Sequence, residues 1–569
     1  MRWLKPVKYD HSSLSMAHEK ILTVYRDRGY LDVRVEPLRK MRDKDGNVVV
    51  EAVIHEGPQY HVGRVQLGGS GLGIFPESVL MNAVKLTSGA VASEKAIRDS
   101  ANALRDVFGV KGYVNTMVNP VKDVNPSTGI ANLRYNIREG TQAHIRNIVI
   151  QGNARTRDKV LRRELLVSPG DLYNEVKVRR SEGILTNLGF FSSVRAQPLD
   201  TRVPGQKDLL ISVQEKRTGQ FMVGAGFSSI DRLTGFLEIS QGNFDLFGWP
   251  NFTGGGQKLK LHLEAGTRRK DLSLSFIEPW FLDRKLSLGV DLYNRELDYT
   301  DYDVKRVGTA VSIAKPLPGP NRIRFTYRLE SKKIQDIADT NRYVYLESPT
   351  ESYYFTEEEN YTKSSLRVSL RHDTRNHPFL PSRGNRVSVF SSLAGGPLGF
   401  DTDLYGMGFR SSSYVSPWFH HVISLRMRYE IVNNYGGTDE IPIDDRLYIG
   451  GGRTVRGYEY RGVGPKVVRA DRDPGDTDYR PVGGKTLAMA SVEYTIPIVK
   501  AFRIATFFDI GNVWRDAYDT SFANMASGAG IGIRLDMPGF PIKIDRAWAV
   551  SKDSEFTDED KWVIWIGNE

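Results

Sequence analysis

Residues 257–276 read QKLKLHLEAGTRRKDLSLSF. Leu259, Leu261 and Leu263 alternate with Lys258, Lys260 and His262, and after a polar turn Leu272, Leu274 and Phe276 resume the same period. Successive side chains of a strand point to opposite faces, so each run carries one apolar and one polar face. The pattern recurs downstream in Leu286, Leu288, Val290 and Leu292, in Ile323, Phe325, Tyr327 and Leu329, and in Leu366, Val368 and Leu370. Leu425, Met427, Tyr429 and Ile431 repeat it once more, while Arg322, Arg324, Arg367, Arg426 and Arg428 sit on the other face. A soluble sandwich or up-and-down barrel also alternates. Three features favour a membrane barrel. At roughly 22 residues per strand and connection, residues 218–569 hold about 16 strands, too many for one sandwich. Aromatics gather at strand ends (Trp280, Phe281, Tyr293, Tyr327, Trp418, Phe419, Trp562, Trp565), as an interfacial girdle requires. Short turns such as EAGTRRKD (264–271) and long ones such as 332–362 predict periplasmic turns set against extracellular loops.

Composition agrees with a folded, multi-domain chain. The 569 residues are 40% apolar, 10% aromatic and 26% charged, with 54 Gly and 26 Pro. No run approaches the roughly 18 to 20 consecutive apolar residues of a spanning helix, and mean hydropathy is −0.38. Zero cysteines exclude disulfide scaffolds, Cys-based zinc sites and thiol catalysis, and suit an oxidising envelope. The net charge of +10 reads as a mixed, solvated surface, since no interleaved aromatics point to nucleic acid. The opening MRWLKPVKYDHSSLSM has no apolar secretory core.

The first 217 residues repeat a unit three times. GYLDVRVEP (29–37), GYVNTMVNP (112–120) and GFFSSVRAQP (189–198) are each followed by a second alternating segment, ending near Gly57, Gly140 and Lys216. Before each lies a helical period: Ala17, Ile21, Val24 and Tyr25; then Ile97, Ala101, Leu104 and Phe108; then Val178, Leu185 and Leu188. Copies two and three add an earlier strand and helix, predicting a strand-helix-helix-strand-strand unit with both helices on one face. The first copy lacks that opening half, which predicts a chain shortened at its N-terminus. The expected domains are 1–58 (partial), 59–141, 142–217 and a barrel over 218–569.

Together these segments resemble the BamA-type outer-membrane β-barrel assembly superfamily, in which periplasmic POTRA domains precede a 16-stranded barrel. The resemblance rests on QEKRTGQFMVGAGFSS (214–229), QGNFDLFGW (241–249), SFIEPWFLDRKLSLGVDLY (275–293), GGGRTVRGYEYRGVGP (450–465), SVEYTIPI (491–498), FFDIGNVW (507–514) and GAGIGIRLDMPGFPIKIDRAW (528–548). It implies a fold class of α+β POTRA repeats followed by an all-β transmembrane barrel. The family's sixth extracellular loop folds back into the lumen, and its tip matches Val455, Arg456, Gly457 and Tyr458. The resemblance implies that Glu493 and Asp509 hold that arginine. Alternation agrees for Glu493, because Val492, Tyr494 and Ile496 then face lipid. By residue type alone Arg456 would be a solvated loop residue. The resemblance also implies a weak seam between the first strand, with Gly224 and Gly226, and the last, with Trp565 and Gly567. The family's C-terminal aromatic, two residues past that glycine, is not matched by the final WVIWIGNE.

The implied function is non-enzymatic: POTRA capture of unfolded outer-membrane proteins and their templated insertion at the seam. Implied partners are those clients, periplasmic chaperones, outer-membrane assembly lipoproteins and outer-membrane lipid, with no nucleic acid and no cofactor. The implied location is a bacterial outer membrane with POTRA domains in the periplasm. The alternatives are a polypeptide secretion pore of the two-partner type and a TamA-type assembly factor; three repeats and no plug segment weigh against the pore. An enzyme finds no support: HExxH, GxSxG and P-loop patterns are absent. The carboxylate-rich run DRDPGDTD (471–478) lacks calcium-loop spacing and reads as solvated loop.

Overall fold

The computed structural model describes residues 11–42, 48–228, 232–299, 302–337, 342–354, 360–471, 479–499, 501–522, 524–536, 542–551, 556–558 and 562–566. The chain divides into two compact units, Met1–Arg217 and Thr218–Glu569.

In the first unit, helix α1 (His11–Asp27) precedes a short ladder of Arg34–Val35 with Ile54–His55 and a hairpin of Arg39–Arg42 with Val48–Glu51. The second copy runs His61–Gly68, α2 (Glu77–Ala83), α3 (Glu94–Val110), Met117–Asn125 and Ile130–Arg138. The third runs His144–Gln151, α4 (Asp158–Arg162), α5 (Glu175–Asn187), Phe191–Asp200 and Gln206–Glu215. In both, the opening strand pairs in parallel with the last strand, and the middle strand flanks that last strand antiparallel on its other side. A parallel pair needs a long crossover, and the two helices supply it.

Caps start the long helices where the sequence offers them: Ser93 accepts from the Ala96 N–H, and Asn174 from the Lys177 N–H. Ile97, Ala101, Leu104 and Phe108 are buried against Val62, Leu133 and Ile137. Val178 and Leu185 are buried against Ile145, Leu209 and Ile211, with Leu188 at the margin. On α1, Val24 is exposed, contrary to its expected inward place. The half-buried face is centred on Ala17, Ile21, Leu22 and Tyr25, which leaves Val24 at its edge.

The second unit is a closed antiparallel barrel in which every strand pairs with its neighbours in sequence. Its strands are β1 (Gly219–Ser228), β2 (Arg232–Phe244), β3 (Gln257–Gly266), β4 (Arg269–Glu278), β5 (Ser287–Asp298), β6 (Asp303–Pro316), β7 (Asn321–Gln335) and β8 (Asn360–Asp373). They continue as β9 (Gly384–Ala394), β10 (Leu404–Val415), β11 (Val422–Asn434), β12 (Thr486–Val499), β13 (Phe502–Trp514), β14 (Ala526–Leu535), β15 (Ile542–Ala549) and β16 (Trp562–Ile566). Among the described residues no helix is long and apolar enough to cross a membrane.

Burial runs opposite to that of a water-soluble domain. Leu272, Leu274, Val307, Val311, Leu366, Leu370, Leu425 and Met427 are exposed, whereas Asp271, Glu330, Lys332, Glu430, Asp509 and Asp545 are buried. Apolar side chains therefore face outward to hydrocarbon and charged ones inward, as a membrane barrel requires. Trp418, Phe419 and Trp562 point outward with the girdle. Tyr293 and Trp565 do not. The Tyr293 hydroxyl donates to Glu330 inside the barrel, and Trp565 lies under the Arg453 guanidinium; strand parity turns both rings inward. The turn within 264–271 also departs from its expected side. It joins β3 to β4, and connections from odd to even strands share one rim, so it lies at the same end as the long β7–β8 connection.

A cation on the outer face should cost far more than one on the inner face. We expect Leu274→Arg, near the middle of β4, to lower barrel stability by about 2–4 kcal/mol. Ser273→Arg, one residue away on the lumen face, should leave it nearly unchanged. Urea midpoints of the purified chain in lipid vesicles check this, and equal losses would contradict the assigned faces.

Candidate functional site

The connection between β11 and β12, described over 435–471 and 479–485, carries its tip into the barrel. Val492 and Phe508 are exposed on the outer face, so Glu493 and Asp509 one residue on project inward. The loop tip meets them there. Val455 is fully buried among Ile449, Val463, Leu487 and Val513. Gly457 has φ +96°, and a Cβ there would press against the Trp548 backbone at 2.7 Å. On β14, a Cβ at Gly528 would collide with the Arg456 carbonyl oxygen. These glycines let the loop backbone lie directly on the strands. The Tyr458 hydroxyl reaches the carbonyl oxygens of Ser551 at 2.6 Å and Ser527 at 2.8 Å.

Arg456 is 3% exposed. Its Nε and Nη2 donate to the two oxygens of Asp509 at 2.6 and 2.9 Å, a bidentate fork. Its Nη1 donates to Glu493 and to Asp545, each at 3.1 Å, and its backbone N–H also reaches Asp509 at 3.2 Å. The guanidinium lies 3.3 Å from the centre of the Phe507 ring. Arg534 on β14 completes the cluster by donating to Glu493 at 2.9 Å and to Asp545 at 3.2 Å. Three carboxylates thus surround two guanidiniums. Burial of so many charges is tolerable because each has partners of opposite sign and good geometry.

Sequence reading placed Val455, Arg456, Gly457, Tyr458, Glu493 and Asp509, and the fold brings all six together. It did not single out Asp545 or Arg534. Their inward face was legible by parity, since Asp545 falls on the face opposite Ile542 and Ile544 of β15 and Arg534 lies between Ile533 and Leu535.

A second set of ion pairs was missed entirely. The turn Ile443–Asp445 presents two adjacent aspartates to the opposite wall. Asp444 pairs with Arg306 of β6 through a two-pronged contact and with Lys332 of β7 at 3.0 Å. Asp445 accepts from Lys332 and from Lys363 of β8, each at 2.6 Å. The loop therefore gives a cation to an acidic wall at its tip and two anions to a basic wall nearer its start.

Of the seam residues, Gly224 lies beneath the Phe236 ring, to which an added Cβ would come within 2.6 Å. Gly226 pairs with Thr234. Trp565 stacks on Arg453, whose guanidinium lies 4.0 Å from the ring centre, and Val563 fills the space above Gly452. Loop residues thus pack on the inner face of the last strand. Gly567, and residues 472–478 of the carboxylate-rich run, lie outside the described residues. Among the described residues no group of three or more His, Asp or Glu is placed to hold a metal ion.

The fold and site together define a POTRA-bearing outer-membrane barrel with a lumen-anchored loop. The Omp85 superfamily domain matches residues 251–569, and the POTRA family (surface antigen variable number repeat) matches 60–140 and 143–216. The chain belongs to the Omp85 superfamily, with its barrel in a bacterial outer membrane and its POTRA units in the periplasm. It is 27% identical over 492 residues to the outer membrane protein assembly factor BamA of Nitratidesulfovibrio vulgaris, covering 85% of this chain and 58% of that one. It is 26% identical over 559 residues to BamA of Neorickettsia risticii, covering 95% and 70%. The chain thus spans less than two thirds of the first relative. Among solved structures, BamA from Haemophilus ducreyi lacking POTRA domains 1–3 superposes with a TM-score of 0.68 at 21% identity, covering 89% of this chain and 99% of that one.

Removing one member of a buried ion cluster leaves its partners unpaired and costs about 3–5 kcal/mol. We therefore expect Arg456→Ala to lower the temperature at which the barrel loses its heat-modifiable gel shift. Arg456→Lys should recover only part of the loss, because an ammonium cannot make the fork to Asp509. Alanine and lysine variants that melt with the parent would contradict a locked tip.

A separate expectation concerns the basic wall. Asp445→Ala strands Lys332 and Lys363 with fewer partners and should free the start of the loop, seen as faster proteolysis within 435–450. Unaltered cleavage would show that this pair does not hold the loop.

Proposed function

We propose that this chain is an outer-membrane protein assembly factor, which takes up unfolded barrel proteins on its POTRA units and folds them at the seam between β1 and β16. The observation that carries the reading is the seam itself. There the first and last strands of the barrel meet: among the described residues β1 pairs with β16 at Phe227 with Ile566 and at Ser228 with Trp565. In this reading β1, whose Phe221 and Val223 turn outward, is the strand along which an arriving client pairs.

Two further features support the reading. Among the described residues each complete POTRA sheet ends in an edge strand, Met117–Asn125 in one and Phe191–Asp200 in the other, to which an extended segment can add. The loop touches the seam strand through Arg453 and Gly452, so the anchored tip and the inner face of β16 form one packed block. In this reading Arg456, held by Glu493, Asp509 and Asp545, keeps that block in place while the outer edge of β1 exchanges partners. Strand exchange replaces one set of backbone hydrogen bonds with another and needs no nucleotide.

The chain has no cysteine, so a disulfide can be placed at the seam alone. Phe227→Cys with Ile566→Cys joins directly paired residues, whose Cα spacing of about 4.5–5.5 Å suits a disulfide. In liposomes containing an unfolded barrel client, the reduced double variant should accelerate client folding over empty liposomes, and the oxidised form should not. Equal acceleration in both forms would overturn templating at the seam. Passage of unfolded polypeptide into the vesicle without client folding would instead favour the secretion pore.

A further inference from the structure

The inner wall formed by β6, β7 and β8 carries more positive charge than the loop neutralises. Register places its side chains. Arg324 lies opposite Ser369, Thr326 opposite Arg367 and Arg328 opposite Ser365, so Arg367 is the diagonal neighbour of both Arg324 and Arg328 on one face. All three line a cavity of about 470 Å³ inside the barrel, within the size range of small-ligand sites. Lower on the same two strands Arg322 stands directly across from Arg371, an opposition of like charges that destabilises a sheet.

The other cations of the cavity are accounted for. Arg306, Lys332 and Lys363 are taken up by Asp444 and Asp445, and Arg295 by Asp271. Glu330 accepts from Tyr293, and Glu430 is engaged by Arg410 and Arg428. Among the described residues Arg324, Arg328 and Arg367 make no ion pair. Arg367 is instead laid on the Phe390 ring, 4.2 Å from its centre, which orients its fork. One carboxylate of the lining, Asp291, shares a row with Arg328 through Ala310 but forms no ion pair with it. Thr326, Ser365 and Ser369 line the same cavity, so hydroxyls share it with the guanidiniums.

We propose that Arg324, Arg328 and Arg367 form a lumenal site for a small multivalent oxyanion, one bearing two or more carboxylate or phosphate groups. The upper part of the same wall supplies the precedent: two adjacent carboxylates, Asp444 and Asp445, are gripped there by cations from β6, β7 and β8. Below them the wall presents the same chemistry to open space. Arginine forks match carboxylate and phosphate oxygens in pairs, and neighbouring hydroxyls can donate to the remaining oxygens. A monovalent ion such as chloride cannot span three guanidiniums in this way. The site is distinct from the seam and from the Arg456 cluster, and it stands whether or not the chain assembles barrels.

The probes are citrate and pyrophosphate, titrated calorimetrically into the full chain in zwitterionic detergent at constant ionic strength, with chloride as the reference. Saturable binding of either probe is expected, and the two arms tell carboxylate from phosphate preference. Arg367→Gln should weaken it by about tenfold, the loss of one charge-assisted fork. Arg503→Gln, which alters a β13 cation paired with Asp536, should leave it unchanged. Arg328→Glu provides an arm that does not depend on a weakened fold. It gives Arg367 an internal partner, so it should abolish probe binding while raising the melting temperature measured without probe. No heat beyond the chloride reference, or equal binding by parent, Arg367→Gln and Arg328→Glu, would overturn the site.

Discussion

Hydrocarbon offers no hydrogen bonds, so every backbone N–H and C=O of a strand crossing it must find a partner on a neighbouring strand. An open sheet cannot satisfy its two edges, and closure into a barrel is the consequence. The rest of the second unit follows from that closure. With lipid outside, the apolar face of each strand turns outward and the charged face inward. The lumen therefore collects Asp271, Glu330, Lys332, Glu430, Asp509 and Asp545, which no soluble domain of this size would bury so freely. Those charges need partners, and the long loop between β11 and β12 brings several of them.

The loop meets the lumen with two polarities. Its tip arginine is drawn into the acidic pocket of β12, β13 and β15, and its two aspartates into the basic wall of β6, β7 and β8. Neither group would be stable if buried alone, since an unpaired buried charge costs several kcal/mol. The two anchors therefore specify one placement of the loop and disfavour others. Glycines make the placement possible: Gly457 and Gly528 remove the Cβ atoms that would hold loop and strand apart. From this position Arg453 and Gly452 reach the inner face of β16, which brings the anchor into contact with the strand that closes the barrel.

The seam joins the first strand of the barrel to the last. Among the described residues β1 and β16 share register at Phe227 and Ser228. The glycine at position 224 does not simply loosen this strand, because the Phe236 ring occupies the space it leaves. At this position β1 is packed closely toward β2.

Much of the architecture was legible in the residues themselves. Period-two alternation from Gln257 onward, and the helical period carrying Ile97, Ala101, Leu104 and Phe108, depend on local geometry, so they appear in any window that contains them. The tip residues 455–458 and the carboxylates Glu493 and Asp509 were legible through the motifs around them. Alternation tells which face a residue takes but not what stands across the lumen, and for that reason Asp545, Arg534 and the Asp444–Asp445 pair escaped notice. Their partners on the loop and across the lumen, Arg456 for Asp545, Glu493 for Arg534, and Arg306, Lys332 and Lys363 for the aspartate pair, lie far along the chain, and only the register of sixteen strands brings them together. The same limit applies to the aromatics: Tyr293 and Trp565 look like girdle residues by type, yet strand parity turns them inward to Glu330 and Arg453. Sequence alone determined the repeat, the barrel and the motif. Tertiary structure decided which charges meet, because pairing across a barrel is a property of closure and register that no local pattern contains.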